Sequence, residues 1–216
     1  MESDMPVQNV LVLGASGGTG RQVVSQALRR GDQVTAFVRD PARLPMTHER
    51  LRTVTGSVTS DDSALASAMQ GQDAVICALG AGKSFKSGNV IADSVTHIVR
   101  AMNTTGVRRL IMMSAFGVGH TDSDVPLIPR TFGRLLLKDI YQDKAAGEEQ
   151  IHRSGLEWTV VYPTALFDGP ETGRVRAGEH LALSGFPRIS RADVAAFLLG
   201  QVGDVQYLRK GVLISS

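Results

Sequence analysis

Glycine recurs at positions 14, 17 and 20, directly after the apolar run Val10-Leu11-Val12-Leu13, with Ser16, Gly18 and Thr19 set between them. An apolar run of this kind reads as a buried parallel strand, and residues 22–30 read as the helix that follows. At such a junction each glycine has its own task. Gly14 lets the chain turn sharply off the strand, and Gly17 lets backbone amides approach a pyrophosphate. Gly20 lets the helix pack closely on the sheet. The helix N-terminus offers unpaired N–H groups and partial positive charge to phosphates, and Ser16 and Thr19 add hydroxyl donors. Glycine clusters also occur in ordinary turns, but strand, spacing and helix agree here. The chemistry expected is dinucleotide binding.

A second strand, 33–38, ends at Arg39. An acidic residue near this point would bond a ribose 2′-hydroxyl, whereas a basic one accommodates a 2′-phosphate. The planar fork of arginine matches phosphate bidentately, so Arg39 points to NADPH rather than NADH. Arg43 is either a second ligand of that phosphate or a solvated loop residue. Asp40 precedes Pro41 and is expected to cap a short helix.

The elements that must position these residues alternate along the chain. Further strands are expected over 52–55, 74–79, 109–113, 158–163 and 211–215. Helices are expected over 61–69, 89–103 and 135–154, and from a Ser190/Asp193 capping box to about residue 201. Gly106 and Gly155 stop two of them. Such alternation predicts an α/β fold, a doubly wound parallel sheet with helices on both faces and right-handed crossovers. Ligands bind at the carboxyl ends of strands in such sheets, which directs attention to Ser57 and Val58, Leu79 and Gly80, Ser114, and Tyr162 onward. Gly82 suits either the cofactor or a flexible loop. The segments 116–134 and 167–187 read as irregular substrate-side loops.

With 216 residues, one domain over 1–216 is expected. Hydrophobic content of 43% and charged content of 20% are ordinary for a globular protein. A net charge of +2, without a basic block, leaves no footprint for nucleic acid. The one cysteine, Cys77, reads as a buried inert thiol in a reducing compartment. No apolar run is long enough to span a bilayer and the N-terminus does not resemble a signal peptide, so a cytoplasmic protein is expected. The scattered histidines lack metal-ligand spacing, and no Gly-x-Ser-x-Gly elbow supports serine hydrolysis.

Four segments carry a family likeness: Gly14-Ala15-Ser16-Gly17-Gly18-Thr19-Gly20, Phe37-Val38-Arg39-Asp40-Pro41, Met113-Ser114-Ala115-Phe116, and 154–163, which reads SGLEWTVVYP. With these the chain resembles the atypical short-chain dehydrogenase/reductases, in particular NAD(P)H-binding proteins similar to NmrA and to biliverdin reductase B. The likeness implies a single Rossmann domain, NADPH as cofactor and reduction of flavins, quinones or conjugated carbonyl compounds. It implies that Gly14, Ser16, Gly17, Gly18, Thr19 and Gly20 hold the pyrophosphate and Arg39 the 2′-phosphate. Ser57 and Val58 would lie near adenine, although the family often has Asp at the first of these. Leu79 and Gly80 would flank a ribose, and Tyr162, Pro163, Thr164 and Ala165 would line the nicotinamide. Biliverdin-reductase-like members have a histidine after the proline, and Thr164 departs from them.

Standard short-chain reductases carry Tyr-x-x-x-Lys on one helix, which puts both side chains on one face. Lys144 matches the lysine here, but Ile140 stands where the tyrosine would be. Tyr141 is one position out, about 100° round the helix. Ser114 is then the candidate donor to a substrate oxygen, with a bond to the nicotinamide amide or the local backbone as its alternative role. Lys144 is the candidate for the ribose, with a solvated surface lysine as its alternative. His120 and His180 lie in loops that could also supply a proton. Flavin or quinone reduction can draw its proton from water, so a broken triad favours that chemistry. The sequence therefore predicts an NADPH-dependent reductase, a monomer or weak homodimer acting on a planar small molecule. The rivals are a non-catalytic NADP-binding redox sensor of the NmrA-like type and an epimerase that retains its cofactor.

Overall fold

The computed structural model describes residues 7–80, 90–119, 121 and 127–216, with the backbone alone over 127–138. Gly82 and His120 lie outside the described residues. In chain order the elements are β1 (Asn9–Leu13), α1 (Gly18–Arg29), β2 (Gln33–Val38), β3 (Leu51–Thr55), α2 (Asp62–Met69), β4 (Ala74–Cys77), α3 (Val90–Thr105) and β5 (Arg109–Met113). They continue with α4 (Leu127–Arg153), β6 (Glu157–Pro163), β7 (Ala165–Phe167), β8 (Arg176–Gly178), β9 (Arg188–Ser190), α5 (Arg191–Gly200) and β10 (Lys210–Ser215).

Eight strands form one sheet in the order β3-β2-β1-β4-β5-β6-β10-β8, and all pairings are parallel except that of β8 with β10. Successive side chains of a strand face opposite sides, and β1 shows what that builds. Val10 and Val12 pack with Val23, Val24 and Ala27 of α1 and Val194, Ala195 and Leu198 of α5. Leu11 and Leu13 pack on the other side with Leu65 and Met69 of α2, Ile91, Val95 and Ile98 of α3, and Ile151 of α4. Burying each such side chain contributes roughly 1.5–3 kcal/mol, so the strands are fixed from both faces. The order reverses between β1 and β4, opening the crevice where this sheet class binds ligands.

Three expectations need correction. The helix expected from residue 22 begins at Gly18, which brings Gly18, Thr19 and Gly20 into its first turn. Residues 127–134, expected in a loop, are helical and open α4. Pro129 does not prevent this, because first-turn amides have no partner in the helix to lose. The stretch 167–187 is not wholly irregular either. Its residues 176–178 add the antiparallel edge strand β8, and Phe167 ends β7, which pairs with β9.

Candidate dinucleotide-binding site

The glycine turn is shaped by backbone contacts. Gly14 has φ +78°, and a Cβ there would stand 2.7 Å from the Ala78 carbonyl oxygen. The Gly17 amide donates to the Gly14 carbonyl at 3.0 Å. A Cβ on Gly20 would collide with that same carbonyl, so only glycine lets α1 sit this close to the turn. Gly17 caps α1 without any side-chain hydrogen bond, and the first turn contains no acidic residue. The first amides and the positive end of the helix dipole therefore meet no internal anion. Gly17 and Gly18 are exposed, Ser16 is half-buried and Thr19 is buried. A diphosphate fits this cradle.

Phe37 registers with Leu13, which sets Arg39 beside the turn at the tip of β2. Arg39 and Arg43 are exposed. Between them Asp40 accepts from the Ala42 amide at 3.0 Å, the cap expected of it. Arg21, in α1, donates to the Arg43 carbonyl at 2.7 Å and fastens this segment to the helix. Ser57 is half-buried, its amide bonded to Asp61 and its hydroxyl to Thr59, and Val58 is buried against Phe37 and Leu65. Leu79 is half-buried and Gly80 exposed, beyond the end of β4. These groups all lie at the carboxyl ends of neighbouring strands.

Further along the same edge, the carboxyl ends of β5 and β6 hold a closed side-chain group. Ser114 follows β5, its amide donating to Val161 at 2.8 Å. Its hydroxyl donates to Glu148 Oε1 at 2.5 Å, and the Tyr162 hydroxyl donates to Oε2 at 2.8 Å. Ser114, Glu148 and Tyr162 are 3%, 2% and 1% exposed. Lys144 sits one turn earlier on α4 and is buried too. Burial raises the Glu148 pKa, while the two donated hydrogen bonds and the Lys144 charge pull it back. Burial lowers the Lys144 pKa against the pull of Glu148, Cys77 and Asp143. The Tyr162 phenol is held far above its usual range by burial and by the adjacent carboxylate. Gly119, with φ +56°, closes the turn over this group, for a Cβ there would strike the Glu148 carboxylate and lie 3.0 Å from the Tyr162 hydroxyl. The neighbouring Asp143 caps α3 from outside, accepting from Ile91 and Ala92 amides at 3.0 and 2.8 Å.

Ser114, Lys144 and Tyr162 are thus brought together, by a carboxylate the sequence reading does not single out. The signal was the i, i+4 spacing of Lys144 and Glu148, which runs toward the C-terminus rather than toward Ile140. Lys144 is not a solvated surface residue, and Tyr141 packs half-buried against the core. Of the four residues expected along the nicotinamide, Ala165 alone is exposed. Pro163 is buried, and Thr164 bonds Ser215 at 3.2 Å beneath the surface. Cys77 is fully buried, and burial pushes its thiol up to about 11. Among the described residues no helix is long and apolar enough to cross a membrane.

Comparison with known proteins agrees with this geometry. The model of the NAD(P)H-binding family matches residues 14–204. An uncharacterized chloroplastic protein of Arabidopsis thaliana is 30% identical over 187 residues, which cover 81% of this chain and 65% of that protein's length. Among solved structures, ChuY, an anaerobilin reductase from Escherichia coli O157:H7, aligns with a TM-score of 0.80 at 20% identity, over 95% of this chain and 96% of its own. A wide-type short-chain dehydrogenase/reductase from Veillonella parvula, in complex with NADP, aligns with a TM-score of 0.80 at 21% identity, covering 98% and 95%. The fold is that of these solved structures, and the chain belongs to the NAD(P)H-binding family.

Proposed function

We propose that this protein is an NADPH-dependent reductase whose acceptor is a flavin, a quinone or a conjugated carbonyl compound. The observation that carries the reading is the uncapped start of α1 at Gly17, beside the exposed Arg39 at the tip of β2. The turn from Gly14 to Gly20 holds the diphosphate, with Ser16 and Thr19 as hydroxyl donors. Arg39 and Arg43 take the 2′-phosphate, and Arg21 steadies their backbone. Ser57 and Val58 lie at adenine, and Leu79 and Gly80 at a ribose. The bound nicotinamide supplies a hydride.

The chemistry left to this chain is orientation and proton control. Glu148 accepts hydrogen bonds from both Ser114 and Tyr162, so neither hydroxyl is turned toward a substrate in this conformation. Lys144 holds the charge of that carboxylate in place. With both of these hydroxyls engaged by Glu148, the favoured acceptors are those whose product takes a proton from water. A ketone, whose alkoxide must be protonated as it forms, suits the arrangement less well. The likeness in fold to an anaerobilin reductase also favours a planar conjugated acceptor, although Thr164 stands where biliverdin-reductase-like proteins have histidine. The same burial of Ser114 and Tyr162 favours one second reading, a non-catalytic NADP-binding redox sensor.

The test is a titration with NADPH, NADP+, NADH and NAD+, run on the wild type and on Arg39→Ala. A hydrogen-bonded charge pair contributes about 1.5–3 kcal/mol, so the 2′-phosphate should improve binding roughly 10- to 100-fold, a margin Arg39→Ala erases. Oxidation of NADPH by flavins or quinones then separates reductase from sensor. Failure of every nucleotide to bind would remove both readings.

A further inference from the structure

α1 and α5 pack side by side, yet their N-termini are provided for differently. The start of α5 has a side-chain cap and an acidic residue in its first turn: Ser190 accepts from the Asp193 amide at 3.0 Å, and its hydroxyl donates to Asp193 Oδ2 at 2.8 Å. Asp193 also takes the amides of Thr172 and Gly173, at 2.7 and 3.1 Å. The start of α1 has no such anion, and a cation lies upon it instead. A Cβ on Gly18 would stand 2.8 Å from both Cδ and Nε of Arg191, so the arginine occupies the space that glycine leaves open. Arg191 is the first residue of α5, where positive charge opposes that helix's dipole as well. Neither helix gains from a guanidinium at this point. Its partner is Asp168, at 2.9 Å, whose carboxylate is 92% exposed.

We propose that Arg191 is a diphosphate ligand of the dinucleotide site, and that Asp168 occupies its fork until the dinucleotide binds. This rests on the dinucleotide reading of the glycine turn. Two positive features, the unpaired amides of α1 and the guanidinium above them, converge where one anion would satisfy both. An exposed ion pair is weak, so exchanging a carboxylate for a diphosphate is inexpensive. Arg191 is fixed by α5 and Asp168 directly follows β7, so the exchange frees the start of the segment 168–175 when cofactor arrives. Arg191 acts on the diphosphate, which NADPH and NADH share, whereas Arg39 acts on the 2′-phosphate, which only NADPH has.

The experiment measures dissociation constants for NADPH and NADH by calorimetry on the wild type, Arg191→Ala, Arg191→Lys, Asp168→Asn and Arg39→Ala, with unfolding temperature as a check on each variant. Arg191→Ala should weaken NADPH and NADH by the same factor, about tenfold or more, and Arg191→Lys should weaken both by less. Asp168→Asn should tighten both, because the competing carboxylate is gone. Arg39→Ala should weaken NADPH alone. If the wild type binds and Arg191→Ala matches it within about twofold for both nucleotides, the assignment of Arg191 is wrong while the dinucleotide reading stands. Weaker binding by Asp168→Asn would overturn the exchange. If the wild type binds neither nucleotide, the reading beneath the proposal fails with it.

Discussion

The glycine turn and the Ser114–Glu148–Tyr162 group stand at carboxyl ends of the same sheet, but they are built in opposite ways. The turn is made of backbone. The helix that leaves it has no side-chain cap, Arg39 and Arg43 beside it are exposed, and steric limits on Cβ atoms fix its shape. The buried group is made of side chains whose hydrogen bonds are already closed upon one another. An open backbone site is completed by a ligand, whereas a closed side-chain network completes the fold and controls where protons reside. Substitutions should separate the two. Changes in the turn should be read first in nucleotide binding, and changes in the buried group first in stability and its dependence on pH.

The largest effect is expected from Gly20→Ala. The new methyl would collide with the Gly14 carbonyl, which is main chain and cannot swing aside. Overpacking of this kind costs about 1–3 kcal/mol, and here it would push α1 away from the turn. Nucleotide affinity should fall by about two orders of magnitude, since a misplaced cradle loses several amide contacts together. Calorimetric titration beside a thermal melt would check this. Unchanged affinity in the folded variant would mean that the turn is architecture only.

Glu148→Ala is the matching test of the buried group. It strands two buried hydroxyl donors, at roughly 1–2 kcal/mol each, and removes the largest of the opposite charges acting on Lys144. Denaturant unfolding should show a loss of about 2–4 kcal/mol with an unchanged slope. Glu148→Gln keeps the shape and isolates the charge. Because burial raises the Glu148 pKa, the folded protein holds this proton more tightly than the unfolded chain does. The contribution of Glu148 to stability is therefore greatest below the unfolded pKa of about 4.3, and it falls as pH rises through the folded one. Wild-type stability relative to Glu148→Gln should decline from pH 4 to pH 7. A difference that stays flat would contradict a carboxyl pKa raised by burial.

How much of this was legible in the sequence follows from the same contrast. The turn is local, and Gly14, Gly17 and Gly20 announce it by spacing because Gly14 needs a positive φ and the other two answer the Gly14 carbonyl a few residues away, although the contact of Gly14 with Ala78 is not local. The seven strands expected were legible to within about two residues of their ends, since apolar runs mark elements more sharply than their boundaries, whereas the three-residue strands β7, β8 and β9 were not. The buried group was only half legible. Ser114, Lys144 and Tyr162 lie at recognisable places, but the atom that binds them belongs to Glu148, which stands among the polar residues of an amphipathic helix and looks like one of them. Its burial depends on α4 packing over the ends of β5 and β6. Arg191 escaped for a related reason, since only the packing of α5 on α1 brings it over Gly18.

Cys77 borders both regions and gives a finer comparison. It ends β4 next to the turn, and it also lies in the field of Lys144. That positive charge does not activate it, because burial dominates and holds the thiol at about 11. In the native protein at pH 8, alkylation should run at least about 100-fold slower than for an exposed cysteine, and unfolding should restore the ordinary rate. Rapid labelling of the native protein would mean that this part of the sheet opens readily.

The smallest effect is expected from Gly80→Ala, and it is the more informative for being small. Gly14 and Gly80 lie at the ends of adjacent strands, yet a Cβ on Gly80 would meet nothing within 4 Å, and this glycine has no positive φ. Protein architecture therefore gives no reason for glycine here, and the unfolding temperature should not drop. Removing a glycine from a compatible position can even stabilise by about 0.4–1 kcal/mol, through the unfolded chain. If Gly80 leaves its space for a ribose, the added methyl should weaken NADPH and NADH alike by several-fold while the melt stays put. Loss of binding without loss of stability would mark ligand space rather than packing. If binding also stayed constant, the dinucleotide would have to run clear of the β4 end, and Leu79 and Gly80 would leave the site.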